Sequence, residues 1–193
     1  MDGTAGNDVI AGGGGFDAVN IGQGGSGTVL VDASDAGLLT SNGFKSGTLA
    51  SGGNILNFSG LELRNGSNAE YKYQQYKGSA IRSDTVVVNF ATLVVDAAGS
   101  LASFFDTPVQ NETLSNYFLN EGSEMIFSTR TVSNFDNAAN VWLRHDGTNG
   151  GDGGAVQAVE LSQIGVINFE TLQGVTEQGD LQNFVSANFQ FIV

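Results

Sequence analysis

Gly12-Gly13-Gly14-Gly15-Phe16-Asp17-Ala18-Val19-Asn20 is the stretch whose reading decides the fold. It follows the nonapeptide pattern G-G-x-G-x-D-x-U-x, with U a large aliphatic residue, at every fixed position. Glycine reaches φ > 0 without a Cβ penalty, so the first half makes a turn that points several backbone carbonyls inward. Asp17 adds a carboxylate, and Ala18-Val19-Asn20 reads as a short strand with one inward aliphatic side chain.

The pattern extends in both directions. Gly3-Thr4-Ala5-Gly6-Asn7-Asp8-Val9-Ile10-Ala11 matches it except at Thr4, and it abuts the second copy without a gap. A third copy, Gly22-Gln23-Gly24-Gly25-Ser26-Gly27, keeps the glycines but has no Asp in register. This opening resembles the repeats-in-toxin (haemolysin-type) family, whose nonapeptides wind a parallel β-roll around calcium. The resemblance covers roughly the first 31 residues. It implies Ca²⁺ as the bound ion, held by Asp8 and Asp17 with the glycine turns at Gly6, Gly13 and Gly15. Calcium takes about six to eight oxygens, more than one turn supplies, so a site needs two stacked turns.

Beyond the repeats the apolar runs are short, β-branched and aromatic: 28–31, 54–58, 85–90, 140–143, 155–161 and 165–169. Several alternate with period two, and Gly, Asn, Asp and Ser punctuate them. The 28 glycines beside a single proline indicate many tight turns. Helix signals are confined to 97–105 and the neighbourhood of 113–120. The pair Asn-Phe recurs at Asn57-Phe58, Asn89-Phe90, Asn134-Phe135 and Asn168-Phe169, at irregular intervals. Stacked coils would gather those rings in one internal column, with the Asn side chains stabilising turns. The expected class is therefore all-β, a parallel β-roll or β-helix-like solenoid. A β-sandwich explains the short strands equally well. Residues 1–31 form the repeat segment and 32–193 a β-rich domain.

Twenty acids against seven bases give a net charge of −13. Nucleic acid and anionic lipid require a basic footprint, so neither is an expected partner, whereas divalent cations fit. Without cysteine, disulfides, thiolate metal sites and thiol nucleophiles are excluded. No apolar run approaches the ~18 residues of a membrane span, so insertion is not expected.

The N-terminus lacks the basic-then-apolar pattern of a cleavable signal. The end of the chain reads otherwise. From His145 to Val193 there is no Lys or Arg, and the last residues are Phe189-Gln190-Phe191-Ile192-Val193. This ending is similar to the uncleaved C-terminal signal of type I secretion substrates, with Gln190 where an acid is common. Export in one step to a calcium-rich exterior would couple folding to metal binding. The implied location is secreted, at the cell surface.

Other candidates are weaker. The loop His145-Asp146-Gly147-Thr148-Asn149-Gly150-Gly151-Asp152 joins two strands, and Asp146, Asn149 and Asp152 are spaced to chelate a second calcium. Tyr71, Tyr73 and Tyr76, interleaved with Lys72 and Lys77, offer a surface for sugars or a neighbouring subunit, or an amphipathic edge strand. The single histidine, His145, follows Arg144, and no nucleophile elbow, zinc helix or phosphate loop is present. The chain is read as a non-enzyme: a calcium-binding structural protein of an extracellular layer, matrix or filament. In that reading it self-associates into homo-oligomers or filaments through its ends, with Phe191 in the apolar terminal strand. Alternatives are a folding and secretion module of a larger enzyme or adhesin, and a protein that binds or modifies surface polysaccharide.

Overall fold

In the computed structural model the described residues are 1–21, 26–32, 39–45, 53–61, 63–64, 72–77, 81–82, 85–106, 108–109, 112–113, 123–132, 137–146, 156–169 and 183–190. The glycine turns deliver the chain alternately to two sheets. Strands β1 (Val9–Ala11), β3 (Thr28–Asp32) and β5 (Ile55–Gly60) pair in parallel in a four-stranded sheet. Strands β2 (Asp17–Asn20) and β4 (Leu39–Phe44) pair in parallel in a seven-stranded one. Val19 and Val29 point into the space between the sheets and are fully buried, as the strand pattern requires. Both sheets run through the junction at residues 31 and 32, because β2 pairs with β4 and β3 with β5.

The rest of the chain widens the second sheet. It continues through β6 (Lys72–Gln75), β7 (Thr85–Val94), helix α1 (Ala98–Phe105), the short pair β8 (Pro108–Val109) and β9 (Glu112–Thr113), β10 (Glu124–Arg130) and β11 (Ala138–His145). β12 (Leu161–Phe169) and β13 (Phe189–Gln190) follow. The sheet orders are β1-β3-β5-β13 and β2-β4-β12-β11-β10-β7-β6. β12 lies parallel to β4, and β13 parallel to β5. β11 runs antiparallel to both β10 and β12, so the large sheet is mixed. The fold is mostly β in two sheets, which is the all-β class expected. The sheets do not close into a barrel among the described residues.

Two apolar layers flank the large sheet. Between the sheets lie Val31, Leu56, Phe58, Val141, Ile167 and Phe169. On the opposite face, α1 lays Leu101 and Phe105 over Val88, Phe90, Phe127 and Trp142. β7 is therefore buried on both faces at its centre, which explains its unbroken apolar reading as Thr85-Val86-Val87-Val88. The Asn-Phe rings do not share one column. Phe58 and Phe169 belong to the layer between the sheets and Phe90 to the layer under α1, while Phe135 lies outside the described residues. The run 155–161 is also not a single strand: residues 158–160 form a 3₁₀ turn and β12 begins at Leu161. Its Glu160 turns inward to meet a buried arginine, which favours the turn over an extended path.

An amide row crosses the open part of the large sheet. Asn168 Nδ2 donates to Asn42 Oδ1 at 2.7 Å, Asn42 Nδ2 to Asn20 Oδ1 at 3.0 Å, and Asn20 Nδ2 to the Asp2 carboxylate. These four residues sit at paired positions on neighbouring strands. Gly43 (φ 75°) is the bulge that keeps the row in phase, since Asn42 faces Asn168 while Phe44 faces Phe169. Asn42-Gly43-Phe44 is thus a bulged version of Asn-Phe.

Candidate functional site

The two repeat turns have matching backbones but different carboxylates. Gly6 and Gly15, at the same repeat position, have φ of 129° and 121°, and Gly13 has φ 83°. A side chain at any of the three would be strained. In the first turn Thr4, where the pattern has glycine, occupies Asp8. Its N–H donates to Asp8 Oδ2 at 2.8 Å, and its hydroxyl lies 3.2 Å from Oδ1. Asn7 Oδ1 accepts the Ser26 N–H at 2.7 Å, tying this turn to the start of β3.

Asp17 is different. It heads β2 opposite Leu39, with the Gly12 backbone so close that a Cβ there would stand 3.0 Å from Asp17 Cβ. Its Oδ2 is buried and has no hydrogen-bond partner among the described residues. A buried carboxylate oxygen left unpaired is costly, and a bound cation is one way to satisfy it. Residues 22–25 and 33–38, which precede β3 and β4 in the chain, lie outside the described residues. Among the described residues no three His, Asp or Glu side chains cluster to hold a metal. Among the described residues, Asp17 and backbone carbonyls are what an ion here would meet, an oxygen donor set that suits calcium.

The other candidates are committed elsewhere in the fold. Asp146 is buried, with Oδ2 3.3 Å from Arg144 Nη2; Asn149 and Asp152 lie outside the described residues. Arg144 is fully buried and also contacts Glu160 at 3.2 Å and the Ser123 hydroxyl. His145, its neighbour on β11, is exposed and pairs with Glu124 at 2.5 Å, so Arg144 and His145 do not converge on one site. Tyr73 stacks on Phe189 (5.1 Å between ring centres) and donates its hydroxyl to the Phe184 carbonyl at 2.7 Å. Tyr76 packs on Phe90 and Phe104. Burial raises the Tyr73 phenol above its ordinary 10.0, partly offset by the hydrogen bond with Asn89; burial alone raises Tyr76. Tyr71 and Phe191 lie outside the described residues.

Sequence reasoning missed the amide row and the buried Arg144 cluster. Of the recurring Asn-Phe pairs only Asn168-Phe169 joins the row; Asn42 is set off from Phe44 by Gly43 and Asn20 precedes Ile21, so the row carries no contiguous motif. Comparisons with protein-family models, curated proteins and solved structures found no match. Among the described residues no helix is long and apolar enough to cross a membrane.

Proposed function

We propose that this chain is a secreted calcium-ordered structural protein of an extracellular layer, matrix or filament. The observation that carries the reading is the buried, unpartnered Asp17 Oδ2 beside a turn whose Gly13 and Gly15 both have positive φ. The alternation of β1 to β5 between two parallel-paired sheets supports a β-roll at this end, with its turns stacked along the sheet edges. Asp17 would serve as a ligand together with glycine-turn carbonyls; Asp8, already bonded to Thr4, would contribute less. Calcium supplies charge neutralisation at Asp17 and locks the turns together.

Export directed by the C-terminal residues fits the same reading. Phe184 and Phe189 are buried, so the tail would be read as an unfolded signal and afterwards complete the core. The outer strands β1 and β13 of the small sheet are the edges through which copies would associate end to end. Calorimetric titration of the purified protein with calcium tests the proposal. Saturable binding that weakens at least tenfold in Asp17→Ala supports it, and no heat at millimolar calcium overturns it.

A further inference from the structure

The amide row stops abruptly. Asn168 is paired on its far side with Ala138, whose methyl group cannot continue the hydrogen-bond chain. There the sheet face opens into a cleft of about 300 Å³, lined by Asp96, Thr131, Asn140, Gln163, Val166 and Asn168 together with Ala138. We infer that this cleft binds a neutral polyhydroxylated ligand, one pyranose unit of a saccharide.

The chemistry of the lining selects the ligand class. Asn140 is fully engaged: Nδ2 donates to the Val95 carbonyl at 2.8 Å and to Asp96 Oδ1 at 2.7 Å, and Oδ1 accepts Gln163 Nε2 at 2.8 Å. It is 2 % exposed and acts as a fixed brace for its two neighbours. Both Asp96 oxygens also accept the Val132 N–H, at 3.1 and 3.0 Å. Asp96, the one carboxylate among the described lining residues, is thus occupied, which disfavours a cation. Among the described residues no Lys, Arg or His lines the cleft, and the chain carries a charge of −13, which disfavours an anion.

What remains are carboxamides. Gln163 and Asn168 each use one N–H, and neither carboxamide oxygen is bonded by another described residue. A carboxamide offers a donor and an acceptor side by side, the complement of vicinal hydroxyls, each of which is both. Ala138 and Val166 provide a small apolar floor for the C–H side of a sugar ring. The volume lies at the lower end of small-molecule sites, suited to a single ring and not to an extended chain.

Ligand-observed NMR and calorimetry with a panel of neutral pyranoses and their methyl glycosides test this. At least one should bind with one-to-one stoichiometry, and equally with or without chelator, because the cleft is separate from the glycine turns. Gln163→Ala should weaken binding about tenfold and lower the melting temperature slightly, because it strands the buried Asn140 Oδ1, whereas Val166→Phe, which fills the cleft, should abolish binding with the melting temperature unchanged. Absence of binding by every pyranose at concentrations on the order of 10 mM would overturn the inference. So would full binding by Val166→Phe, or calcium binding lost in Asp96→Asn but kept in Asp17→Ala, which would make the cleft a cation site.

Discussion

Gly6 and Gly15 hold nearly the same backbone angle, φ 129° and 121°, at equivalent positions of two consecutive nonapeptides. The local repeat is therefore realised twice, on strands that go to opposite sheets. What differs is how each turn satisfies its aspartate: Asp8 has Thr4, while Asp17 Oδ2 has no partner among the described residues.

Removing that orphan should not harm the metal-free protein. With chelator present, Asp17→Ala is expected to melt at or slightly above wild type, because an unpaired buried oxygen is deleted. Asp8→Ala should instead lose about 1 kcal/mol with its bonds to Thr4. Urea unfolding of both variants in chelator checks the order; the reverse order would mean that Asp17 is satisfied without metal.

The amide row gives a pH-dependent prediction. Asn42 both donates to Asn20 and accepts from Asn168, so Asn42→Ala should destabilise by about 1–2 kcal/mol. Asn42→Asp keeps the acceptor but places a carboxylate against Asn20 Oδ1. Its folded-state pKa would be raised, so at neutral pH it should cost more than Asn42→Ala, recovering as pH falls through that raised value and fully by about pH 4. Urea midpoints across pH measure this.

Arg144 is placed to anchor β11 to the 3₁₀ turn at 158–160. Arg144→Ala leaves Asp146 and Glu160 buried without their counter-charge and should cost about 3–5 kcal/mol. Replacing His145, whose pair with Glu124 is exposed, should change stability by less than about 1 kcal/mol. Equal effects at the two positions would contradict the burial described.

Two of the four tyrosines, Tyr73 and Tyr76, have phenols raised by burial. A folded pKa above the unfolded value means stability present below pH 10 and lost as pH rises through the folded value. In an ultraviolet titration their ionisation should lag and coincide with alkaline unfolding. Tyr73→Phe should lower stability by about 1 kcal/mol through the bond to Phe184.

Where sequence reading succeeded, the determinants were local. The repeat turns follow from glycine φ, and 97–105 folds as α1 (Ala98–Phe105) because its apolar residues recur at helical spacing. β3 and β5 follow from β-branched runs. Where it fell short, the determinants were distant. Glu160 turns inward for Arg144, sixteen residues earlier on another element, and no local propensity announces that. β10, Glu-Met-Ile-Phe-Ser-Thr-Arg, hides its inward polar residues: Ser128 meets Asn89, and Thr129 accepts the Trp142 indole N–H at 2.9 Å. The parallel-coil expectation does not extend to β11, which pairs antiparallel with both of its neighbours. For the candidate site, the resemblance implied Asp8 and Asp17 together, and what separates them is Thr4, which stands in the glycine position of the first repeat and bonds Asp8.

Thermal melting with and without calcium, on wild type and Asp17→Ala, tests the central claim most directly. With free calcium at about a hundredfold the dissociation constant, wild type should gain about 2–3 kcal/mol, a rise of about 5–10 °C, and Asp17→Ala should gain little. Coincident wild-type melts in chelator and in millimolar calcium, or an undiminished gain in Asp17→Ala, would contradict the account.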